Sequence, residues 1–240
     1  MSLGEFVSSI KVGENVEPRL ISSLSRTGRV YWQDDFEAYT SAVTEKWRQR
    51  VGTISLDTSR PFRGKACMKI TTGAVLGNDV EADKYLGALP LGRLGWELWF
   101  LSQFGVANIH DIELGFYLYD GAYCHEAWVA WLGTVGTLQE KWQYINSEGD
   151  YTDIPNGTQK LYVESDLPIW HHFKLVVDFR TGKYVKLVCD DKTFDLSALS
   201  YHKTPDTTKP CIDVGAYIEN ATATAVSLYV DDVILTDQEP

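Results

Sequence analysis

Asp111, Glu113, Tyr117 and Tyr119 are the residues of this 240-residue chain whose types and spacing most plainly offer chemistry. In "IHDIELGFYLYDG" (109–121) they fall on one face of an extended segment, and Ile112, Leu114, Phe116 and Leu118 fall on the other. Carboxylates accept hydrogen bonds from hydroxyl groups, and tyrosine rings pack against C–H faces, so the pattern suits a sugar-binding platform. Carboxylates two residues apart on a strand stand ~7 Å from one another, a spacing that an acid and base pair also tolerates. A third reading is the ordinary solvated face of an antiparallel strand.

The rest of the chain must supply the scaffold. It is 44% hydrophobic and 12% aromatic, enough for one large domain with a sizeable core. Lys plus Arg number 22 against 33 Asp plus Glu, a net charge of -11 that repels polyanions. Nucleic acid and acidic membrane surfaces are therefore poor partners, and no apolar run approaches the ~20 residues of a membrane helix. Residues 1–28 are polar and without a sustained period, and read as an N-terminal arm that wraps the domain or contacts a neighbour. The single domain is expected over 29–240, where short β-branched and aromatic runs are separated by Gly, Asp, Asn and Pro. The segment "YTSAVTEKWRQRV", with Tyr39, Val43, Trp47 and Val51 four apart, predicts a short helix or turn.

The clearest local unit is 171–196, where Phe173, Leu175, Val177 and Phe179 alternate with polar residues before "RTG" turns the chain into Val185, Leu187 and Cys189. This is an antiparallel meander, and many such strands must close as a sandwich or barrel. Cys67, Cys124, Cys189 and Cys211 have no zinc-ligand spacing, and Cys67 and Cys189 sit in strand-like runs where a free thiol packs as a small hydrophobe, with one disulfide among the four left open. The histidines form no HExxH set, and His171 and His172 should point to opposite faces of one strand. Glycine-containing stretches such as "GTVGTLQ" lack a phosphate-cradling pattern. The N-terminus lacks the basic start and apolar stretch of a secretory signal, which predicts a cytoplasmic or particle-associated protein unless "MSL" replaced a native signal.

The meander "WHHFKLVVDFRTGKYVKLVCDDKTFDL", the start "DDFEAY...W...GTISLDTSRPFRGKACMKI" and the ending "SLYVDDVIL" together resemble concanavalin A-like jelly rolls, the superfamily of laminin-G-like domains, legume-type lectins, carbohydrate-binding modules and several glucanases. The resemblance implies an all-β, antiparallel two-sheet β-sandwich with neighbouring first and last strands and with ligands on the concave sheet. Glu97, Trp99 and Gln103, opposite the apolar Trp96, Leu98 and Phe100, are then expected to join Asp111, Glu113, Tyr117 and Tyr119 on that face. Trp131 and Trp142 are further candidate platforms, and the remaining tryptophans read as packing. Glucanases of this superfamily read Glu-x-Asp-x-x-Glu, whereas "DIELG" is followed by Phe116, so the third carboxylate is absent. The resemblance also implies structural calcium where the first and last strands meet, held by Asp35, Glu37 and Asp231 with carbonyls near Arg63 and Gly64. The leading functional expectation is a non-enzymatic, lectin-like module that binds a glycan or glycan-bearing surface. The alternatives are a virus or phage particle or assembly protein that self-assembles through its arm, and a polysaccharide-degrading glycosidase or lyase.

Overall fold

The computed structural model describes residues 28–39, 46–50, 52–87, 91–103, 106–161 and 169–240. The expected arm lies outside the described residues except for Gly28, as do 40–45 and 51 of the predicted helix. The described part of that segment is a turn leading into a short strand. Trp47 fixes it there, because its ring is buried against Phe36 and its Nε1 donates to Asp34 at 3.0 Å.

The strands in chain order are β1 (Arg29–Asp34), β2 (Arg48–Gln49), β3 (Thr53–Asp57), β4 (Cys67–Thr71), β5 (Asp79–Gly87), β6 (Arg93–Gln103), β7 (Ile109–Tyr119), β8 (Tyr123–Val135), β9 (Thr137–Ile145), β10 (Tyr151–Thr158), β11 (His171–Asp178), β12 (Lys183–Cys189), β13 (Lys192–Asp195), β14 (His202–Pro205), β15 (Cys211–Asn220) and β16 (Ser227–Asp237). They form two eight-stranded antiparallel sheets. The first runs β13-β12-β11-β6-β16-β4-β3, with β1 on β16; the second runs β10-β9-β8-β7-β15-β5-β2, with β14 on β8. First and last strands therefore lie side by side, and β11, β12 and β13 form the expected meander.

Alternation puts Ile112, Leu114, Phe116 and Leu118 of β7 between the sheets with Trp96, Leu98 and Phe100 of β6 and Phe173, Leu175 and Val177 of β11. Trp131 and Trp142 also lie in this core, and both donate to Gln159, through its backbone and side-chain oxygens respectively, at 2.9 Å. They are filler with satisfied N–H groups, not exposed platforms.

The outer side of the first sheet is also sheltered at its centre, and β11 is buried along its whole length. His171 and His172 do face opposite ways, yet both are buried, His171 against Asp190 at 2.7 Å and His172 against Glu97 at 3.3 Å. Lys174 Nζ lies 2.8 Å from Glu239 Oε1 and 3.5 Å from Glu97 Oε2, so the chain's end is strapped over this face by ion pairs. Gly95 makes room for the strap: a Cβ there would stand 2.8 Å from Glu239 Oε1.

Candidate functional site

The second sheet presents its outward side chains in aligned rows. At the centre, Gly215 of β15 stands opposite Gly115 of β7, and Gly115 opposite Trp128 of β8. A Cβ on Gly215 would lie 2.8 Å from Cη2 of the Trp128 ring, and one on Gly115 2.8 Å from its Cγ. The indole therefore rests on two glycines, a placement that any side chain at 115 or 215 would block. Trp128 is only 3% exposed, and its Nε1 has no hydrogen-bond partner among the described residues.

On one side of this row, Tyr85, Asp213, Tyr117 and Glu126 follow one another across β5, β15, β7 and β8. Tyr117 and Tyr119 stack with ring centroids 6.4 Å apart and planes 29° apart, and Tyr117 also touches Trp128 at 5.4 Å. Both tyrosines are half-buried and reachable, and Tyr85 is 42% exposed. Arg50 is bound by carboxylates, with Nε 2.7 Å from Asp83, Nη1 3.2 Å from Glu81 and Nη2 3.5 Å from Asp213. Burial pushes the Asp213 carboxyl up to about 7, helped by the neighbouring Asp83 charge.

On the other side, Glu81, Tyr217 and Glu113 form the next row, and Asp79, Glu219 and Asp111 the one after it. Glu113 Oε2 accepts a 2.6 Å hydrogen bond from Tyr151. Burial first, and the Asp111 charge second, push Glu113 up to about 8. Burial likewise raises Asp111, while the hydrogen bond from His110 opposes the shift.

Asp111, Glu113, Tyr117 and Tyr119 thus share one face, as alternation predicts. Glu97 and Trp99 do not join them. They lie on the outer side of the first sheet, with the whole core in between. Neither is a platform there: Glu97 is 1% exposed and ion-paired, and Trp99 is 9% exposed under Phe62, stacked at 4.0 Å and 14°. Parity along a strand orders side chains into two faces without saying which sheet the strand joins.

Of the carboxylates expected to hold calcium, Asp231 and Glu37 hold the loop that precedes β4, and Asp35 caps its own turn. Asp231 Oδ2 accepts from the backbone N–H groups of Phe62 and Arg63 at 3.0 and 3.2 Å, and its Oδ1 from Asp232 at 2.8 Å. Glu37 Oε1 accepts from Lys65 and Ala66 at 2.5 and 3.1 Å, while Asp35 caps the Glu37 amide at 3.2 Å. These oxygens serve backbone N–H donors here, and a calcium shell would have to share them. Among the described residues, the His, Cys, Asp and Glu group gathered closely enough for a metal is another one, His110, Asp111 and Glu219, whose donor atoms all lie within 4.8 Å. Sequence reasoning missed it because His110 belongs by parity to the inward face. The four cysteines are free thiols.

The architecture is an antiparallel two-sheet β-sandwich, consistent with the concanavalin A-like fold that the sequence resemblance implies. Residues 128–239 match the family model described as a domain of unknown function, DUF6772. No curated protein sequence matches significantly. Among solved structures, the chain is similar to the cellulose-induced protein Cip1, with a TM-score of 0.55 and 16% identity over 87% of this chain and 98% of the other. It is also similar to an endo-β-1,4-glucuronan lyase from the fungus Trichoderma reesei, with a TM-score of 0.53 and 12% identity over 87% and 96% of the two chains. At such identities the likeness is one of fold.

Proposed function

We propose that this protein is a non-enzymatic carbohydrate-binding module that takes an uncharged glycan on the outer face of its second sheet, over Tyr117 and Tyr119. The observation that carries the reading is the stacked tyrosine pair, half-buried and flanked across the rows by Asp213 and Glu126. Rings held by the sheet offer an apolar surface to sugar C–H groups with little entropy left to lose, and the half-buried Glu126 carboxylate offers an acceptor to a hydroxyl, while the buried Asp213 is taken up by Arg50. Other rows of the same face carry Asp79, Glu81, Asp83 and Glu219, and the Arg50 charge is already taken up by three carboxylates. A polyuronate meets repulsion on this face, which separates the proposed ligand from glucuronan, the substrate in the lyase's name. The missing third carboxylate after "DIELG" supports a binding role over hydrolysis.

Affinity electrophoresis in gels containing neutral polysaccharides (xylan, mannan, β-glucan) or polyglucuronate tests the reading. The wild type should be retarded by a neutral polysaccharide and not by polyglucuronate, and a Tyr117→Ala, Tyr119→Ala variant should bind about tenfold more weakly or worse, the effect of losing ~1.4 kcal/mol of contact. No retardation by any neutral polysaccharide, or equal retardation of the variant, overturns it. Release of unsaturated ends from polyglucuronate would identify a lyase instead.

A further inference from the structure

The end of the same face beyond Glu113 has a different chemistry. Glu219 of β15 and Asp111 of β7 stand opposite one another, but the next pair is Asn220 with Ile109, so the register slips and His110 is left as the extra residue of a β-bulge. Bulges re-aim side chains, and this one brings the imidazole to the outer face, with Nδ1 3.0 Å from Asp111 Oδ2 and 3.8 Å from Glu219 Oε2. Donor atoms sharing a tetrahedral ion at ~2.1 Å stand ~3.4 Å apart, so these separations need little adjustment to close on one ion.

A second observation points to a ligand here. Asp111 is 6% exposed, and its Oδ1 has no hydrogen-bond partner among the described residues. The charges acting on Asp111 and Glu113 include those of Asp79, Glu81 and Glu219, and the basic group at Asp111 is His110. A buried carboxylate with one oxygen unmet, among other acids, is completed by a cation. The Tyr217 hydroxyl donates to Glu219 Oε2 at 3.1 Å, the kind of outer hydrogen bond that orients a ligating carboxylate.

We infer that His110 Nδ1, Asp111 and Glu219 form a binding site for a divalent transition-metal ion of the zinc class, with its remaining position open on the outer face. The imidazole nitrogen selects against calcium and magnesium, which take oxygen shells, and the one-His, two-carboxylate set is one that zinc accepts. The site is separate from the tyrosine platform, lying beyond the Trp128 row. Binding is therefore measured without glycan, and its failure leaves the carbohydrate reading untouched.

Isothermal titration of the metal-free, reduced protein with zinc chloride should give one saturable site, and calcium chloride should give none. His110→Ala and Glu219→Gln should each weaken zinc binding at least tenfold. Because the free thiols are competing zinc ligands, cobalt(II) is added as a spectroscopic probe. A weak visible spectrum without thiolate charge transfer, lost in Glu219→Gln, supports the site even if His110→Ala fails to fold. Absence of saturable zinc binding, unchanged affinity in Glu219→Gln, or a thiolate-to-cobalt band at stoichiometric metal overturns it.

Discussion

The Tyr151 hydroxyl donates a 2.6 Å hydrogen bond to Glu113 Oε2, bringing the outermost strand of the second sheet onto a carboxyl near its middle. Glu113 titrates near 8 in the folded chain because burial and the Asp111 charge disfavour its ionised form. In the unfolded chain it titrates at ~4.3. Between those values the folded state holds a proton that the unfolded state has lost, so stability falls as pH rises through the window. Asp231, raised to about 8, and Asp213, raised to about 7, act in the same direction. The melting temperature should therefore decline from pH 5 towards about pH 8.5, and Glu113→Gln should flatten the decline while keeping an acceptor for Tyr151. A profile as steep in the variant as in the wild type would show that Glu113 is not among the groups responsible.

Gly115 and Gly215 should not tolerate side chains equally. A methyl group at 115 meets the Trp128 backbone, with Cα at 2.7 Å, whereas one at 215 meets the far edge of the indole at 2.8 Å. Backbone paired on both sides yields less than a ring edge, so Gly115→Ala should be the costlier change, by overpacking of about 1–3 kcal/mol. Urea denaturation at equilibrium measures both. Equal or inverted costs would mean that the β7–β8 backbone shifts more readily than the indole.

Trp99 separates the two faces functionally. Its ring is covered by Phe62 on the first sheet, so Trp99→Ala should destabilise the fold by about 3–5 kcal/mol and leave glycan affinity within about twofold, provided the variant is assayed below its melting point. The paired Tyr117→Ala, Tyr119→Ala change should do the reverse, lowering affinity more than stability. Loss of binding in Trp99→Ala with native circular dichroism would move the binding surface to the other sheet.

The loop preceding β4 is held by side chains: Asp231 serves two of its backbone N–H groups and Glu37 another two. Calcium added to the metal-free protein should leave the melting temperature unchanged, because these carboxylates already serve backbone N–H groups. Asp231→Ala should lower stability by about 1–3 kcal/mol, because buried donors lose their acceptor. A chelator-induced fall in melting temperature that calcium restores, and that Asp231→Ala abolishes, would establish the cation there.

Alternation was enough to read much of this protein directly from its sequence. The inward Ile112, Leu114, Phe116 and Leu118, the outward Asp111, Glu113, Tyr117 and Tyr119, and the meander through Phe173 and Leu187 follow from the two-residue period of an extended chain, a property of covalent geometry that acts between neighbours. Whether Glu97 and Trp99 stand beside those residues or behind them depends on which strands pair, and pairing joins β7 to β15 and β6 to β16 between residues far apart in the chain, such as Tyr117 with Asp213 and Trp99 with Asp231. Those choices are settled by burial of the whole core at once. Trp128 rests flat on its sheet because Gly115 and Gly215 come into register beneath it, and His110 turns outward because the β7–β15 pairing slips by a residue at Asn220. Register and bulges belong to two strands together, so neither strand's own residues announce them.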